Sequence, residues 1–352
     1  MLSRVADSIC WLARYMERAE NISRLLLSTQ DLLLDAGAEA ADVTQFWEPL
    51  LLATGDDAAY ATLYPAITGI GVAEFLTLRE ENPNSMINSV RAARENARTV
   101  RDQISDELWE CVNSLRLFLE SQDARAMLLH QPAAFYERVL LSSYQFQGIA
   151  GSTTPRGEIW HFLCLGMMLE RADKVSRLLD TCSAVSTEMT PHPGSRPLRW
   201  AALLRSCSAW HALHTISARL DPVKIIEFLM INETFPRSFE YCVTEVHRTL
   251  EALCLSLPAS AEMHKPARLA GRLAADLRYS TVDEILAAGL HDFIDDFQTR
   301  LNMIGTAVFE TFVLYAENAP AAEDPLVPPA SWQPGAWHHA AELDVQTQQQ
   351  QQ

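Results

Sequence analysis

The sequence has little glycine and lacks long hydrophobic runs. Only 13 of the 352 residues are glycine, whereas Leu, Ala, Glu and Arg recur throughout, which favours helices over a turn-rich β fold. No run of about 20 apolar residues occurs, so no transmembrane helix is expected. The N-terminal residues, with Arg14, Glu17 and Arg18 among them, do not have the pattern of a signal peptide. These features predict an all-α protein in the cytoplasm that does not enter a membrane.

The motifs of cofactor and metal chemistry are also lacking. No Gly-rich phosphate loop, Walker pattern or Gly-x-Ser-x-Gly motif is present, which predicts no cofactor. The seven cysteines form no Cys-x-x-Cys pair, which predicts buried free thiols rather than a zinc site. A di-iron carboxylate bundle needs two Glu-x-x-His motifs, and the sequence has one, Glu158 to His161. A metal-binding carboxylate bundle therefore stays a minor alternative.

A surplus of positive charge is lacking too. The formal net charge of the chain is -17, so it repels the phosphate backbone of a nucleic acid. We therefore expect no nucleic acid partner, although a local basic stripe can still bind a single phosphate or carboxylate group.

An internal repeat is the most informative feature that is present. Residues 16–26 and 169–179 are identical at seven of eleven positions. The same offset of 153 residues pairs Trp47 with Trp200 and Pro83 with Pro236. This pattern predicts two tandem helical bundles, residues 1–152 and 153–317, related by a pseudo-twofold axis. From residue 318 to 352 the composition shifts to Ala, Pro, Glu and Gln, which predicts a disordered tail.

Hydrophobic periodicity predicts the helices themselves. Apolar residues recur with a period of 3.6 from Ser3 to about Asp35, which predicts a long first helix. The same periodicity predicts single helices over residues 57–79 and 197–218.

An acidic stripe follows the first predicted helix. Glu17, Glu20, Asn21 and Arg24 are spaced i, i+3, i+4 and i+7, so they share one helix face. Glu170, Asp173 and Arg177 repeat this pattern in the second copy. The stripe is either a solvated face with i,i+4 ion pairs or part of a binding site, and its retention in both copies raises the weight of the second interpretation.

A basic stripe follows a later helix of the first copy only. Its four arginines, spaced i, i+3, i+7 and i+10, are Arg91, Arg94, Arg98 and Arg101. They repel one another unless acidic groups or an anionic ligand face them. Glu17 and Glu20 are candidate partners, either in a structural ion-pair network or around a pocket for a carboxylate or phosphate. The second copy has Thr244, His247, Glu251 and Cys254 at the equivalent positions, which predicts a ligand site in the first repeat.

Several segments resemble the bacterial alpha-E domain family. They are residues 11–24, 93–102 and 169–173, together with the turn at residues 236–238. The resemblance implies a helical protein whose relatives are encoded beside, or fused to, circularly permuted ATP-grasp ligase-like proteins, with transglutaminase-like proteins as neighbours. It therefore implies a role in peptide or amide-bond formation.

Carried over by position, the resemblance implies a set of charged site residues. They are Arg14, Glu17, Arg18, Glu20, Asn21, Arg24, Arg94, Asn96, Arg98, Arg101, Glu170, Arg171 and Asp173. One position departs from the repeat, since Met167 stands where the equivalent of Arg14 is expected.

The sequence leaves two main functions open. The first is an accessory or binding module whose Glu/Arg cleft in the first repeat holds an ATP-grasp ligase-like partner or its peptide or amino-acid-like ligand. The alternative is an enzyme in which Glu17 or Glu20, held near Arg94 and Arg98, acts as a general acid or base on a peptide or amide.

Overall fold

Helices make up the regular structure of the chain. The structure, a computed structural model, describes residues 3–36, 44–187, 195–217, 219–255 and 264–314. Across these ranges there are sixteen α-helices, one π-helical turn and no β-strand, so the predicted all-α fold is confirmed. The predicted disordered tail, residues 318–352, lies outside the described residues.

The helices of the two halves follow the same order. The first half contains α1 Ser3–Ala36, α2 Thr44–Thr54, α3 Asp57–Leu63, α4 Gly69–Thr77, α5 Met86–Thr99, α6 Asp106–Leu119, α7 Gln122–His130 and α8 Pro132–Thr153. The second contains α9 Glu158–Thr187, α10 Ser195–Ser206, α11 Trp210–His214, α12 Pro222–Ile231, α13 Phe239–Cys254, α14 Lys265–Tyr279, α15 Val282–Ala288 and α16 Leu290–Phe309, which continues into the π-helical turn Glu310–Leu314. Helices α3, α4 and α5 begin 153 residues before α11, α12 and α13, which matches the offset of the repeat.

Two predicted long helices are each divided in the structure. The segment 57–79 separates into α3 and α4 because Pro65 cannot continue a helix, and Thr68 then caps α4 by accepting a hydrogen bond from Gly71 N at 3.1 Å. The segment 197–218 separates into α10 and α11 near Ser208, whose φ of 53° is incompatible with a continuous right-handed helix.

Helix α1 lies at the centre of the fold. Its apolar side, which includes Leu12, Met16 and Leu26, is buried as its periodicity predicts. It packs on α5 and α8 of its own half and on α9 and α10 of the other half, whereas α9 packs on α13, α16 and α2. Contacts therefore join the described residues into one unit. The boundary predicted at residue 152 falls in the last turn of α8 and stays a prediction.

The closest approach of α1 and α9 occurs at Gly166. A Cβ atom placed on this glycine would lie 2.1 Å from the carbonyl oxygen of Cys10 and 3.2 Å from the Cβ of Ala13. Only glycine allows the two backbones to come this close. One helical turn beyond this contact, the acidic stripes of α1 and α9 face each other.

Candidate functional site

The two central helices exchange ion pairs between identical Glu-Arg dipeptides. Arg171 on α9 donates from Nε and Nη2 to the two carboxylate oxygens of Glu17 on α1, both at 2.9 Å. In return, Arg18 on α1 donates from Nε to Glu170 on α9 at 2.7 Å. Glu17 is 2% exposed and Glu170 is 0% exposed. Each helix therefore neutralises a buried carboxylate of the other.

Arg237, in the turn before α13, also forms an ion pair with Glu17. Arg237 donates from Nη1 to Glu17 at 2.8 Å and from Nη2 to Glu20 at 2.5 Å. The turn is well fixed, since the Pro236 carbonyl accepts from Arg171 Nη1 at 3.3 Å and Ser238 caps α13. The geometry thus brings a residue of the second half against two carboxylates of the first.

Helix α8 closes this side of the site. Glu20 accepts from Arg24 Nε at 2.9 Å and from Gln147 Nε2 at 2.7 Å. The Tyr144 hydroxyl accepts from Arg24 Nη2 at 2.9 Å, and Arg24 Nη1 also contacts Ser208. We call this group the sealed cluster, whose members are Glu17, Glu20, Asn21, Arg24, Arg171 and Arg237.

The other side of the site is less enclosed. Arg14 Nε donates to Glu170 at 3.0 Å, Lys174 Nζ lies 3.2 Å from Asp173, and Arg177 Nε donates to Asp173 at 3.0 Å. We call this group the open cluster, whose members are Arg14, Arg18, Glu170, Asp173, Lys174 and Arg177. Its four cations are between 16% and 35% exposed. Four cations surround two carboxylates here, whereas three surround two in the sealed cluster.

The two carboxylates of the Glu-Arg dipeptides are held in their ionised form. Burial by itself would raise the pKa of Glu17, but Arg171 and Arg237 outweigh it and lower this pKa from 4.5 to about 2. Burial is likewise outweighed at Glu170, where Lys174, Arg14 and Arg18 lower the pKa to about 2. A carboxylate with such a pKa is a weak base and has no proton to donate at neutral pH. The geometry therefore favours a structural role for Glu17 over general acid or base catalysis.

The arginine stripe of α5 lies away from these clusters, so the expectation that Glu17 and Glu20 face it is wrong. Val90, Ala93 and Ala97 form the buried face of α5, which packs on α1 and α6. The side chains of the four arginines therefore contact acidic residues outside α1 and residues of α6.

Each arginine of the stripe has a local partner. Arg91 pairs with Glu80 at 2.9 Å and with Glu120 at 2.8 Å. Arg94 and Arg98 both pair with Glu95, at 2.5 Å and 2.8 Å.

The remaining predicted residues at the end of α5 also have local partners. Arg101 pairs with Asp106, and the guanidiniums of Arg101 and Arg94 both lie over the Trp109 ring. Asn96 is half-buried, and its carbonyl accepts from Val100 N at 3.2 Å. The ion-pair site therefore draws on both halves of the chain, and the ligand site predicted in the first repeat stays a prediction.

Two concave surfaces accompany the clusters. A cavity of about 560 Å³ lies between α1, α9 and α16, and its walls include Arg14 and Asp173 from the open cluster. An apolar groove of about 1250 Å³ lies in the first half, with walls from α1, α4 and α7.

The metal-binding alternative finds no support in the described residues. Within the described residues, no three or more His, Cys, Asp or Glu side chains are grouped so that they could hold a metal ion. Over the same ranges, no helix has the length and apolar character needed to cross a membrane.

Comparison with known proteins identifies the family. A family model described as a predicted alpha-helical domain with a conserved ER motif matches residues 1–313. The chain belongs to the alpha-E family. The exchanged pairs are made by Glu-Arg dipeptides of the kind that this description names.

Two mycobacterial proteins are similar to the alpha-E chain. An uncharacterized protein of Mycobacterium bovis is 26% identical over 308 residues, which cover 82% of this chain and 34% of the relative. An uncharacterized protein of Mycobacterium tuberculosis is 25% identical over the same length. The alpha-E chain thus spans about a third of the length of the curated relatives it matches. No solved structure matches it.

Sequence reasoning missed several residues of the alpha-E site. Arg237 was noticed only as part of a family-like turn, yet it contacts three members of the acidic stripe. The repeat pairs Arg237 with Asn84 of the first half, but no local pattern links it to Glu17. Lys174 had a local signal, since it lies four residues after Glu170 on α9, whereas Tyr144 and Gln147 had none, since only the packing of α8 on α1 brings them to Arg24 and Glu20.

Proposed function

We propose that this alpha-E protein is a cytoplasmic binding module that acts with an ATP-grasp ligase-like partner in peptide or amide-bond formation. The partner supplies the bond-forming chemistry, and the helical chain supplies a docking surface and holds the peptide ligand. The observation that carries the proposal is the exposed apolar groove of the first half, because it gives a partner protein a surface to bind.

The groove has the character of a protein-binding surface. Leu34, Ile70 and Leu129 line it and are 80%, 74% and 63% exposed. Large apolar patches on a protein surface mark interaction sites. The length of the relatives supports the same idea, since their alpha-E region is accompanied by a larger remainder of polypeptide.

The state of the carboxylates favours binding over catalysis. Glu17 is ionised between two guanidiniums, and Glu20 is fully buried while it accepts from Arg24, Arg237 and Gln147. An enzyme that used either residue as acid or base would need a carboxylate that reaches a substrate. The open cluster, by contrast, has partly exposed cations suited to the carboxylate of a peptide.

Co-purification with the ATP-grasp ligase-like protein tests the proposal. We expect a stable complex at micromolar concentrations, and we expect Ile70→Asp to weaken it at least tenfold, because a buried carboxylate in an apolar interface costs more than about 1.4 kcal/mol. Tyr279→Asp is the matched control, since Tyr279 is 83% exposed on α14 outside the groove. The transglutaminase-like protein serves as a second candidate partner in the same assay.

Two results would count against the proposal. One is the absence of any complex at micromolar concentrations, both with and without ATP. The other is an equal weakening of the complex by Ile70→Asp and Tyr279→Asp, which would show that the groove is not part of the interface.

A further inference from the structure

The cavity beside the open cluster has two opposite charges on its wall, each with hydrogen-bonding capacity that no described residue uses. It has a volume of about 560 Å³, which is in the range of small-molecule sites. Asp7 and Arg14 line it from the same face of α1, seven residues apart. Within the described residues they form no ion pair with each other, so each is available to a ligand.

Arg14 presents the cationic end. Its Nε donates to Glu170 and its guanidinium stacks on the Trp11 ring, 4.6 Å from the centroid. No described residue accepts a hydrogen bond from its two terminal nitrogens. A guanidinium in this state binds a carboxylate well, because two N–H groups are free to form a fork.

Asp7 presents the anionic end. It is half-buried, and this burial raises its pKa above the ordinary range, against the effect of a hydrogen bond with Trp11. Among the residues that the structure describes, no cation pairs with it. A carboxylate that has lost part of its hydration without gaining a cation is stabilised when a ligand brings an ammonium group.

The walls between the two charges are apolar and aromatic. Phe162, Phe309 and Phe312 line the cavity, and Phe312 lies in the π-helical turn, where it meets Phe162 edge-on at 5.4 Å. Turns of this kind are rare and often lie at functional sites. The Cys10 thiol also faces the cavity, but burial raises its pKa to about 12, so it is not a nucleophile.

We propose that this cavity binds a zwitterionic amino acid or short peptide, with its carboxylate on Arg14, its ammonium group on Asp7 and an apolar side chain against the phenylalanines. Both charges lie beside Trp11, since Asp7 forms a hydrogen bond with its side chain and the Arg14 guanidinium stacks on its ring, so a ligand whose two charged ends are close together fits them. The ligand class deepens the proposed function and rests on it for the biological role of the peptide, though not for its binding.

Calorimetric titration of the full chain with the dipeptide Ala-Phe and two blocked forms tests the inference. N-acetylation removes the ammonium charge, and C-terminal amidation removes the carboxylate. We expect saturable binding of Ala-Phe and at least tenfold weaker binding of each blocked form. These comparisons use the unaltered protein, so they do not depend on the folding of a variant.

Two variants then assign each charge. Asp7→Asn should abolish the difference between Ala-Phe and its acetylated form, and Arg14→Gln should abolish the difference from the amidated form. Arg4→Gln is the control, since Arg4 is exposed on α1 and does not line the cavity.

Two outcomes would overturn the inference: no saturable binding of Ala-Phe at millimolar concentration, or equal binding of the free and blocked forms. Failure of the proposed function is distinguishable, because it would remove the complex with the ligase-like protein and leave peptide binding intact. Ile70→Asp should likewise leave the peptide affinity unchanged.

Discussion

The sealed and open clusters are built from the same Glu-Arg-Ala-acid segment, on α1 and on α9, yet they are closed by different residues. In the sealed cluster Arg237 reaches Glu17 from the turn before α13. In the open cluster the equivalent position is Asn84, which accepts from Arg18 Nη1 at 3.3 Å. The difference teaches that a repeated charged motif can form a buried network on one side and keep partly exposed cations on the other.

The two clusters receive their additional positive charge from different parts of the chain. Arg14 supplies it to Glu170 from α1, whereas the equivalent residue on α9 is Met167. Glu17 therefore has no such helix-borne arginine and depends on Arg237 instead. Each carboxylate keeps at least two cations, but among the cations of the two clusters only Arg14 lines the cavity of about 560 Å³.

Removal of the buried charge at Glu17 should have the largest effect. Glu17→Gln leaves the guanidinium of Arg171 buried without its carboxylate and leaves Arg237 with Glu20 alone, and we expect the free energy of unfolding to fall by about 3–5 kcal/mol. Urea titration followed by tryptophan fluorescence measures it. Glu95→Gln is the control, because Glu95 is 55% exposed and should change stability by less than about 0.5 kcal/mol. Equal losses of stability in the two variants would show that the buried charge of Glu17 contributes no more than an exposed one.

The two exchanged arginines should differ in importance. Arg171→Gln leaves Glu17 with Arg237 alone and should cost about 2–4 kcal/mol, whereas Arg18→Gln leaves Glu170 with Arg14 and Lys174 and should cost about 1–2 kcal/mol. The same urea titration measures both. A larger loss in Arg18→Gln would reverse the distinction between the sealed and open clusters.

The acid sensitivity of the fold should depend on both clusters. The folded-state pKa values of Glu17 and Glu170 are about 2, below the ordinary 4.5, so their stabilisation is complete above pH 4.5 and is lost as the pH falls towards 2. Each carboxylate adds up to about 1.4 kcal/mol per pH unit to the slope of stability in this window. Glu170→Gln should therefore reduce the slope between pH 5 and pH 3, measured by urea titrations, and an unchanged slope would contradict the ionised state of Glu170.

The arginine stripe of α5 should give the smallest effect. Arg98 is 62% exposed and pairs with an equally accessible Glu95, so Arg98→Gln should change the free energy of unfolding by less than about 0.5 kcal/mol. Thermal unfolding followed by circular dichroism provides the comparison with Arg18→Gln. A loss as large as that of Arg18→Gln would mean that the stripe is part of the structural network after all.

The helical fold was predictable because periodicity records which residues face the interior. The first helix was predicted to end within a residue or so of its observed end at Ala36. The divisions at Pro65 and Ser208 were not predicted, since an apolar pattern can continue across a short break when both segments pack on the same core. Proline at residue 65 was the signal for the first break, and no comparable residue marks the second.

The site was predictable only in part. Periodicity correctly grouped Glu17, Glu20 and Arg24 on one face, but it does not say which helix covers that face. Arg237 is 220 residues from Glu17 along the chain, so no local pattern links them. The same lack of long-range information led to the wrong pairing of Glu17 with Arg94, although both residue types were correctly singled out as charged partners.

The exchange of ion pairs between α1 and α9 imposes a compatibility requirement on the two halves. Loss of Arg18 affects a carboxylate on α9, and loss of Arg171 affects one on α1. A hybrid chain that joined one half to a foreign half without the matching dipeptide would bury an ion with fewer partners. The two dipeptides, Glu17-Arg18 and Glu170-Arg171, therefore make each half specific for the other. When alpha-E chains are recombined or designed, these four residues have to be transferred together.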